Sequence, residues 1–451
     1  MVTFRQAEEY LLSLELFGMR FGLDRMHRLM TVLGLPQRRF ASIHVVGTNG
    51  KSSTVRFCAA ILERHGLRTG SYTSPHLGSF RERIEVGERA VPEADFAAAV
   101  GRAAEAAELV NRTADPDDRV TQFEALTAAA YHELARRGVE VAVVEAGLGG
   151  RFDATNVIPS KVQVLTSVGL EHTRWLGPGL RDIAEEKLAV VRDHGVLVAG
   201  ALDAESRAVA ERVVHERHAK LAAPGSAAPG GAPAAPGSVA PAAPGSAAPA
   251  APGSAAPARF ASPLSDVPLR AAGGFQRTNF AIAAAAAEAF LDRPLDRAAL
   301  EGAAAETAIP GRVEIVSHEP LVVYDGAHNP AGAHALAESL DEVLGERRPR
   351  VAVIGVLEDK DAAAMLGELL PHVDRAIYTR SQNPRSLSPA TLSTLAEKLG
   401  GPEGELVAEP HAAVERARAS AGSDGAVLVT GSIYLIADLV RQETGARASS
   451  L

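Results

Sequence analysis

One stretch constrains this fold more than the rest: IHVVGTNGKSSTVRFCAAILERHG, from Ile43 to Gly66. The apolar run Ile43–Val46 has the length of a buried strand, and Thr54–His65 has the length of a helix. Between them lies the glycine-bracketed loop Gly47-Thr48-Asn49-Gly50-Lys51-Ser52. A strand feeding a helix through so short a loop predicts one unit of a parallel sheet, with the helix covering a face. The loop has a G-x-x-G-K-[ST] core, shorter than the usual G-x-x-x-x-G-K-[ST] phosphate loop. Glycines let the backbone close around anionic oxygens, and the helix points free N–H groups and its positive dipole end at them. Lys51 supplies a compact charge, and Ser52 or Ser53 can face a magnesium ion. Alone, the loop predicts a nucleotide and no particular reaction.

The alternation continues, with strands at Arg68–Tyr72, Val139–Glu145 and Val162–Thr166 and a helix at Gln122–Arg137. Residues 222–258 then break the pattern with an imperfect Ala-Pro-Gly-Ser repeat that carries no charge. Such a segment buries too little surface to offset its ordering entropy, so it is predicted to be a disordered insertion. GGFQRTNFAIAAAAAEAFL, from Gly273, is predicted as a helix returning to the first domain. A second alternation follows, with strands at Leu321–Tyr324, Val351–Ile354, Ala376–Tyr378, Leu406–Ala408 and Val427–Val429, and helices at Ala331–Leu344 and Pro389–Leu399. The expectation is an α/β protein. A parallel-sheet ATPase domain with the phosphate loop spans 1–307, and a smaller Rossmann-like α/β domain spans 308–451.

Bulk properties narrow the class. A net charge of −9 argues against nucleic acid as the main partner. Cys58 is the single cysteine, so no internal disulfide forms, which fits a reducing compartment. The start MVTFRQAEEY has no basic stretch before an apolar core, so no secretory signal is read. No apolar run approaches the roughly 20 residues that span a bilayer. The expected location is cytoplasmic, with no membrane partner.

Three more segments end strands with chemistry-bearing residues. Tyr72–Val86, YTSPHLGSFRERIEV, puts a Ser-Pro-His cluster at a strand end, where sheets of this type bind ligands. Val141–Asn156, VAVVEAGLGGRFDATN, ends a buried strand in Glu145, a usual place for a magnesium-binding carboxylate near a phosphate loop. Leu165–Val191 carries His172 just past a strand and Glu185-Glu186-Lys187 on a helix.

Together, HVVGTNGKSS, YTSPHL, RERI, EAGLGGRFDATN, TSVGLEHTRWLG, IAEEK, DGAHNPAGAHAL and VTGSIYL make the chain resemble the folylpolyglutamate synthase and dihydrofolate synthase family of the Mur ligase superfamily. The resemblance covers nearly the whole chain apart from the insertion. It implies ATP-driven amide formation: a pterin substrate's carboxylate takes the γ-phosphoryl group, and the amine of L-glutamate displaces phosphate. By resemblance, Gly47, Thr48, Asn49, Gly50, Lys51, Ser52 and Ser53 hold phosphates. Ser74, Glu145 and His172 bind magnesium, and Lys187 is carbamylated to help hold a second magnesium ion. Gln276 and Asn279 lie near adenine. Arg312, Asp325 and His328 reach the nucleotide from the second domain, and Thr121, Phe123, Asp153 and Ala154 line the pterin pocket. The catalytic set is Lys51, Glu145, His172 and Lys187. The partners implied are ATP, L-glutamate and folate or dihydropteroate, on a monomer.

Three positions depart from the family pattern. Ser52 stands where the family has Gly, as in cell-wall Mur ligases. Phe275-Gln276 replaces His-Gln, removing any contact through that His. EKLAVVR replaces EKAGIIK after Lys187. The alternative is a Mur-type amide ligase acting on a cell-wall nucleotide precursor, against which TSPHL and GLGGRFDATN stand. A nucleotide switch protein is a third reading, but Asp359-Lys360-Asp361 does not match the guanine motif such proteins carry. A catalytically dead homologue is disfavoured by the charged residues all being present.

Overall fold

The computed structural model describes residues 2–14, 22–115, 117–224, 258–260 and 267–444. Among these, the first sheet has nine strands: β1 (Ala41–Val46), β2 (Thr69–Tyr72), β3 (Ile84–Val86), β4 (Arg89–Ala90), β5 (Val141–Glu145), β6 (Val162–Leu165), β7 (Val196–Ala199), β8 (Lys220–Pro224) and β9 (Ala258–Phe260). Their order is β4-β3-β2-β5-β1-β6-β7-β8-β9. Only the β2–β3 and β3–β4 pairs are antiparallel. β1 pairs in parallel with β5 on one side and β6 on the other. The chain leaves β1 toward β2 and later returns to β6 on the opposite flank. The carboxyl end of β1 is thus the reversal point at which such sheets take ligands.

The helix after the loop spans Lys51–Arg64. It starts three residues before the sequence reading, because Gly50, at φ +84°, turns the chain directly into it. Its apolar side packs on the helix Gly274–Leu291. Alanines 283–287 allow the close approach, and Phe57 meets Phe280 edge-on with ring centroids 5.2 Å apart. The segment after the insertion therefore returns to the first domain, as its pattern predicted.

Residues 225–257, most of the predicted disordered insertion, lie outside the described residues. Its bounds of 222–258 need correcting, because Ala222–Pro224 and Ala258 belong to the paired strands β8 and β9. Backbone pairing with β7 extends the sheet there despite the repeat-like composition.

The second sheet contains β10 (Glu314–His318), β11 (Leu321–Tyr324), β12 (Arg350–Ile354), β13 (Arg375–Tyr378), β14 (Gly404–Leu406) and β15 (Ala426–Thr430), in the order β10-β11-β15-β12-β13-β14. Its pairs are parallel except β10 with β11. Leu406–Ala408 is a correction: the strand is Gly404–Leu406, paired with Ala376–Tyr378. Gly404 sits against the Tyr378 ring, where a Cβ would collide. That close approach draws the pairing two residues earlier than apolar content suggests. The sheet is sandwiched between Leu336, Leu340 and Met365 on one face and Ala413, Leu435 and Ile436 on the other.

Candidate active site

The carboxyl ends of β1, β5 and β6 open into a cleft of about 640 Å³, whose other wall comes from the second sheet's domain. Every residue given a role by the family resemblance lines it except Gln276, whereas His76 of the Ser-Pro-His cluster and Glu185 lie outside it. Gln276 is fully buried and accepts from Asn279 Nδ2 at 3.1 Å, which places Asn279 against Gly50.

The phosphate loop is held from the β6 side. Thr48 N donates to Ser167 O at 2.9 Å, Asn49 N donates to Ser167 Oγ at 3.0 Å, and Thr166 Oγ1 donates to Asn49 O at 2.6 Å. Two lysines converge on the Gly47 carbonyl. Lys51 Nζ donates to Gly47 O and Thr48 O, each at 3.1 Å, and Lys187 Nζ donates to Gly47 O at 2.8 Å. Burial, and then the charge of Lys51, bring the Lys187 ammonium down to about 7.

Glu145 ends β5 fully buried. Ser52 Oγ donates to its Oε1 at 3.0 Å, and Ser74 N donates to its Oε2 at 3.1 Å. Burial raises this carboxyl, against the opposing pull of Lys51, the two bonds and Arg312. A carboxylate beside a hydroxyl is a hard oxygen donor pair. Magnesium is usually held by one or two carboxylates with substrate phosphates and water, and this pair suits it. Among the described residues, no three His, Cys, Asp or Glu side chains gather as a metal cage. His172 and Lys187 line the cleft but do not extend Glu145 into one. Unmodified, Lys187 donates to the Gly47 carbonyl and offers no anionic oxygen.

His172 begins a short helix, Thr173–Leu176, at φ +53°. Burial brings it down to about 4, with the neighbouring Glu171 opposing. Glu171 was not singled out from the sequence, yet it ties the two domains together. Its Oε1 lies 2.9 Å from Lys360 Nζ and 3.2 Å from His328 Nε2. Burial would raise it, but the His328 bond and the charges of His328 and Lys360 hold it well below the usual carboxylate range. A second tie joins Asn49 and Asn329, whose side-chain amides exchange bonds at 3.1 and 3.0 Å. Asn329 also caps the helix Pro330–Leu344. Asp325 is fully buried, accepts from Val313 N and Ala327 N at 2.9 and 2.8 Å, and is raised by burial against Arg312. DGAHNP contained Asn329 and TSVGLEHTRWLG contained Glu171 as visible signals; Lys360, in a stretch that matches no motif, had none.

The far end of the cleft is walled by Thr121, Phe123, Asp153 and Ala154, together with Phe152 and Trp175. Thr121 caps the helix Gln122–Arg136 in a reciprocal box with Glu124. Glu124 is gripped by Arg25 Nε at 3.0 and 3.1 Å, a buried pair that the sequence did not reveal. Asp153 accepts from Leu148 N at 2.8 Å and Thr155 N at 3.0 Å, and burial raises its carboxyl. Phe123 packs under Gly147, where a Cβ would strike its ring.

A phosphate loop, a buried carboxylate beside it, and a second α/β domain closing on both define a two-domain ATP-dependent ligase of the Mur type. Residues 311–433 match the family described as Mur ligase, glutamate ligase domain. The chain is 31% identical to the dihydrofolate synthase/folylpolyglutamate synthase of Bacillus subtilis, over 94% of this chain and 95% of that protein. It is 34% identical to a probable bifunctional folylpolyglutamate synthase/dihydropteroate synthase of Haloferax volcanii, over 97% of this chain, but spans only 50% of that longer protein. The folylpolyglutamate synthase of Mycobacterium tuberculosis complexed with ADP superposes with a TM-score of 0.83 at 29% identity, covering 99% of both chains. The chain belongs to the folylpolyglutamate synthase/dihydrofolate synthase family.

Proposed function

We propose that this chain is an ATP-dependent ligase that adds L-glutamate to a folate, to dihydropteroate, or to both. The observation carrying the reading is the single cleft in which the phosphate loop, Glu145 and the second domain's His328 and Arg312 face a pocket walled by Phe123 and Asp153. A carboxylate is a poor acylating agent because oxide would have to leave. Its oxygen attacks the γ-phosphorus of ATP, the bond to the bridging oxygen breaks, and ADP departs. The glutamate amine then attacks the acyl carbon, phosphate leaves with one former carboxylate oxygen, and the amine sheds a proton.

The protein's part is alignment and charge. Lys51 and the loop's N–H groups bind phosphate oxygens, with Thr48, Asn49, Ser52 and Ser53 shaping the loop. Arg312 adds positive charge from the second domain, with Asp325 and His328 around it, and Asn279 faces the nucleotide with Gln276 behind it. Glu145, with Ser52 and Ser74, would hold magnesium, and His172 with a carbamylated Lys187 would hold a second ion. Magnesium supplies neutralisation of phosphate charge. A lysine brought down to about 7 has a large neutral fraction at neutral pH, the form that reacts with carbon dioxide. Thr121, Phe123, Asp153 and Ala154 receive the pterin end. We place the domain division near residues 307–308 and the enzyme in the cytoplasm as a monomer. No helix among the described residues is long and apolar enough to cross a membrane.

The test is turnover with magnesium, ATP and L-glutamate, offering dihydropteroate and tetrahydrofolate separately beside a cell-wall nucleotide precursor. Turnover with either pterin supports the reading. Turnover with the precursor alone would move the chain to the cell-wall branch.

A further inference from the structure

Behind the wall that carries Asp153 lies a histidine for which the proposed reaction has no use. His44, on β1, is 0% exposed, as is Thr155. His44 Nε2 is 2.8 Å from Thr155 Oγ1, and Thr155 Oγ1 in turn donates to Asp153 Oδ1. A threonine hydroxyl has one proton, and an ionised carboxylate can only accept. With that proton pointed at Asp153, the hydroxyl has to accept from His44, which fixes the imidazole as its Nε2–H tautomer. The other nitrogen agrees: Nδ1 is buried without a hydrogen-bond partner. A bare lone pair is tolerable there, whereas an orphaned N–H is costlier. Burial, and then the Arg192 guanidinium, bring His44 down to about 3, so it carries no charge.

The same loop is pinned by two more side chains. Tyr131 OH donates to Thr155 O at 3.0 Å. Arg192 Nη2 donates to Asn156 O and Oδ1, each at 2.7 Å, and to Ile158 O at 3.0 Å. Residues 153–158 are thus fastened from behind, and they meet the cleft at Asp153 and Ala154.

We propose that His44 is a positioning residue: through Thr155 it fixes the Asp153 carboxylate, and so sets the fit of the acceptor's ring system without touching it. This rests on reading that end of the cleft as the acceptor pocket. β1 also delivers Gly47, so one strand registers the acceptor wall and the phosphate loop together.

His44→Gln keeps an N–H within similar reach, whereas His44→Leu and Thr155→Val break the chain of bonds. The KM for the pterin substrate is expected to rise roughly tenfold in H44L and T155V, the scale of one hydrogen bond to a charged group, with the KM for ATP within about twofold. H44Q should stay near wild type, and the H44L/T155V double variant should be no worse than T155V alone. Equal rises in both KM values, or an H44L indistinguishable from wild type, would overturn the proposal. Nitrogen-15 spectra of the wild-type chain give a readout that needs no folded variant of His44. The signal perturbed by Thr155→Val is expected to be Nε2–H; an Nδ1–H tautomer or an imidazolium overturns the proposal. An Nε2–H signal in a wild type that turns over no pterin would overturn the proposed function, and with it the substrate part of this inference.

Discussion

Glu145 is the residue on which the site turns, because it joins Ser52 of the phosphate loop to Ser74 at the end of β2. Glu145→Gln keeps the shape and removes the charge. We expect kcat to fall on the order of 100-fold, as when an electrostatic element of a transition state is lost. A fully active variant would remove Glu145 from the metal and phosphate site. His44 gives a pH signature. Its folded value of about 3 lies below the model-peptide value of 6.5, so between those limits the unfolded chain holds the extra proton. Stability from this group is therefore complete above pH 6.5 and is lost as pH falls toward 3, at up to roughly 1.4 kcal/mol per pH unit. Arg192, the charge facing the ring, is present throughout this range. Denaturant midpoints between pH 6.5 and 4 should fall less steeply in H44Q than in wild type. Parallel slopes would mean that the folded imidazole titrates normally.

At the scale of elements, the loop and the helix it opens were legible because their signals are local. Gly50 occupies a left-handed conformation, and a Cβ there would strike Asn279 Oδ1. Gly50→Ala is expected to cost about 1–3 kcal/mol of stability from backbone strain and crowding. It should also raise the KM for ATP; an unchanged midpoint in denaturant would show that the loop relaxes freely. The buried pair of Arg25 with Glu124 is the opposite case. The partners are 99 residues apart, and neither belongs to a motif, so no local pattern announces them. Arg25→Met leaves Glu124 buried with its charge unmatched, an expected loss of about 3–5 kcal/mol measurable by chemical denaturation. Strand ends were less legible than strands. The edge strand at Gly404–Leu406 is set by backbone pairing and a glycine against Tyr378 rather than by its own apolar content. Helix spans such as Gln122–Arg136 and Pro330–Leu344 came within a residue of their patterns, since a capping residue stands at each start.

Across the whole molecule, the site exists only where the two domains meet. Glu171 and Lys360 are 189 residues apart and Asn49 and Asn329 are 280 apart, yet both pairs bridge the cleft. Such pairings could not be read from sequence: Asn49, Glu171 and Asn329 lie inside motifs, but no local pattern joins any of them, or Lys360, to a partner so distant in the chain. Lys360→Met breaks the ionic tie and leaves Glu171 with the imidazoles of His328, at 3.2 Å, and His172, at 3.8 Å. Its expected effect is a kcat lower by roughly tenfold, the weight of one partly buried charge pair, with the KM for ATP changed less. A kcat at the wild-type level would show that closure does not depend on this tie. The central claim is that a substrate carboxylate is activated by phosphorylation and then captured by glutamate. The most direct measurement uses a pterin substrate labelled with oxygen-18 in its carboxylate, incubated with ATP and L-glutamate, and follows the label by mass spectrometry. One labelled oxygen is expected in each released phosphate, alongside a product lengthened by one glutamate. Unlabelled phosphate released with the glutamylated product would contradict an acyl phosphate and the mechanism built on it.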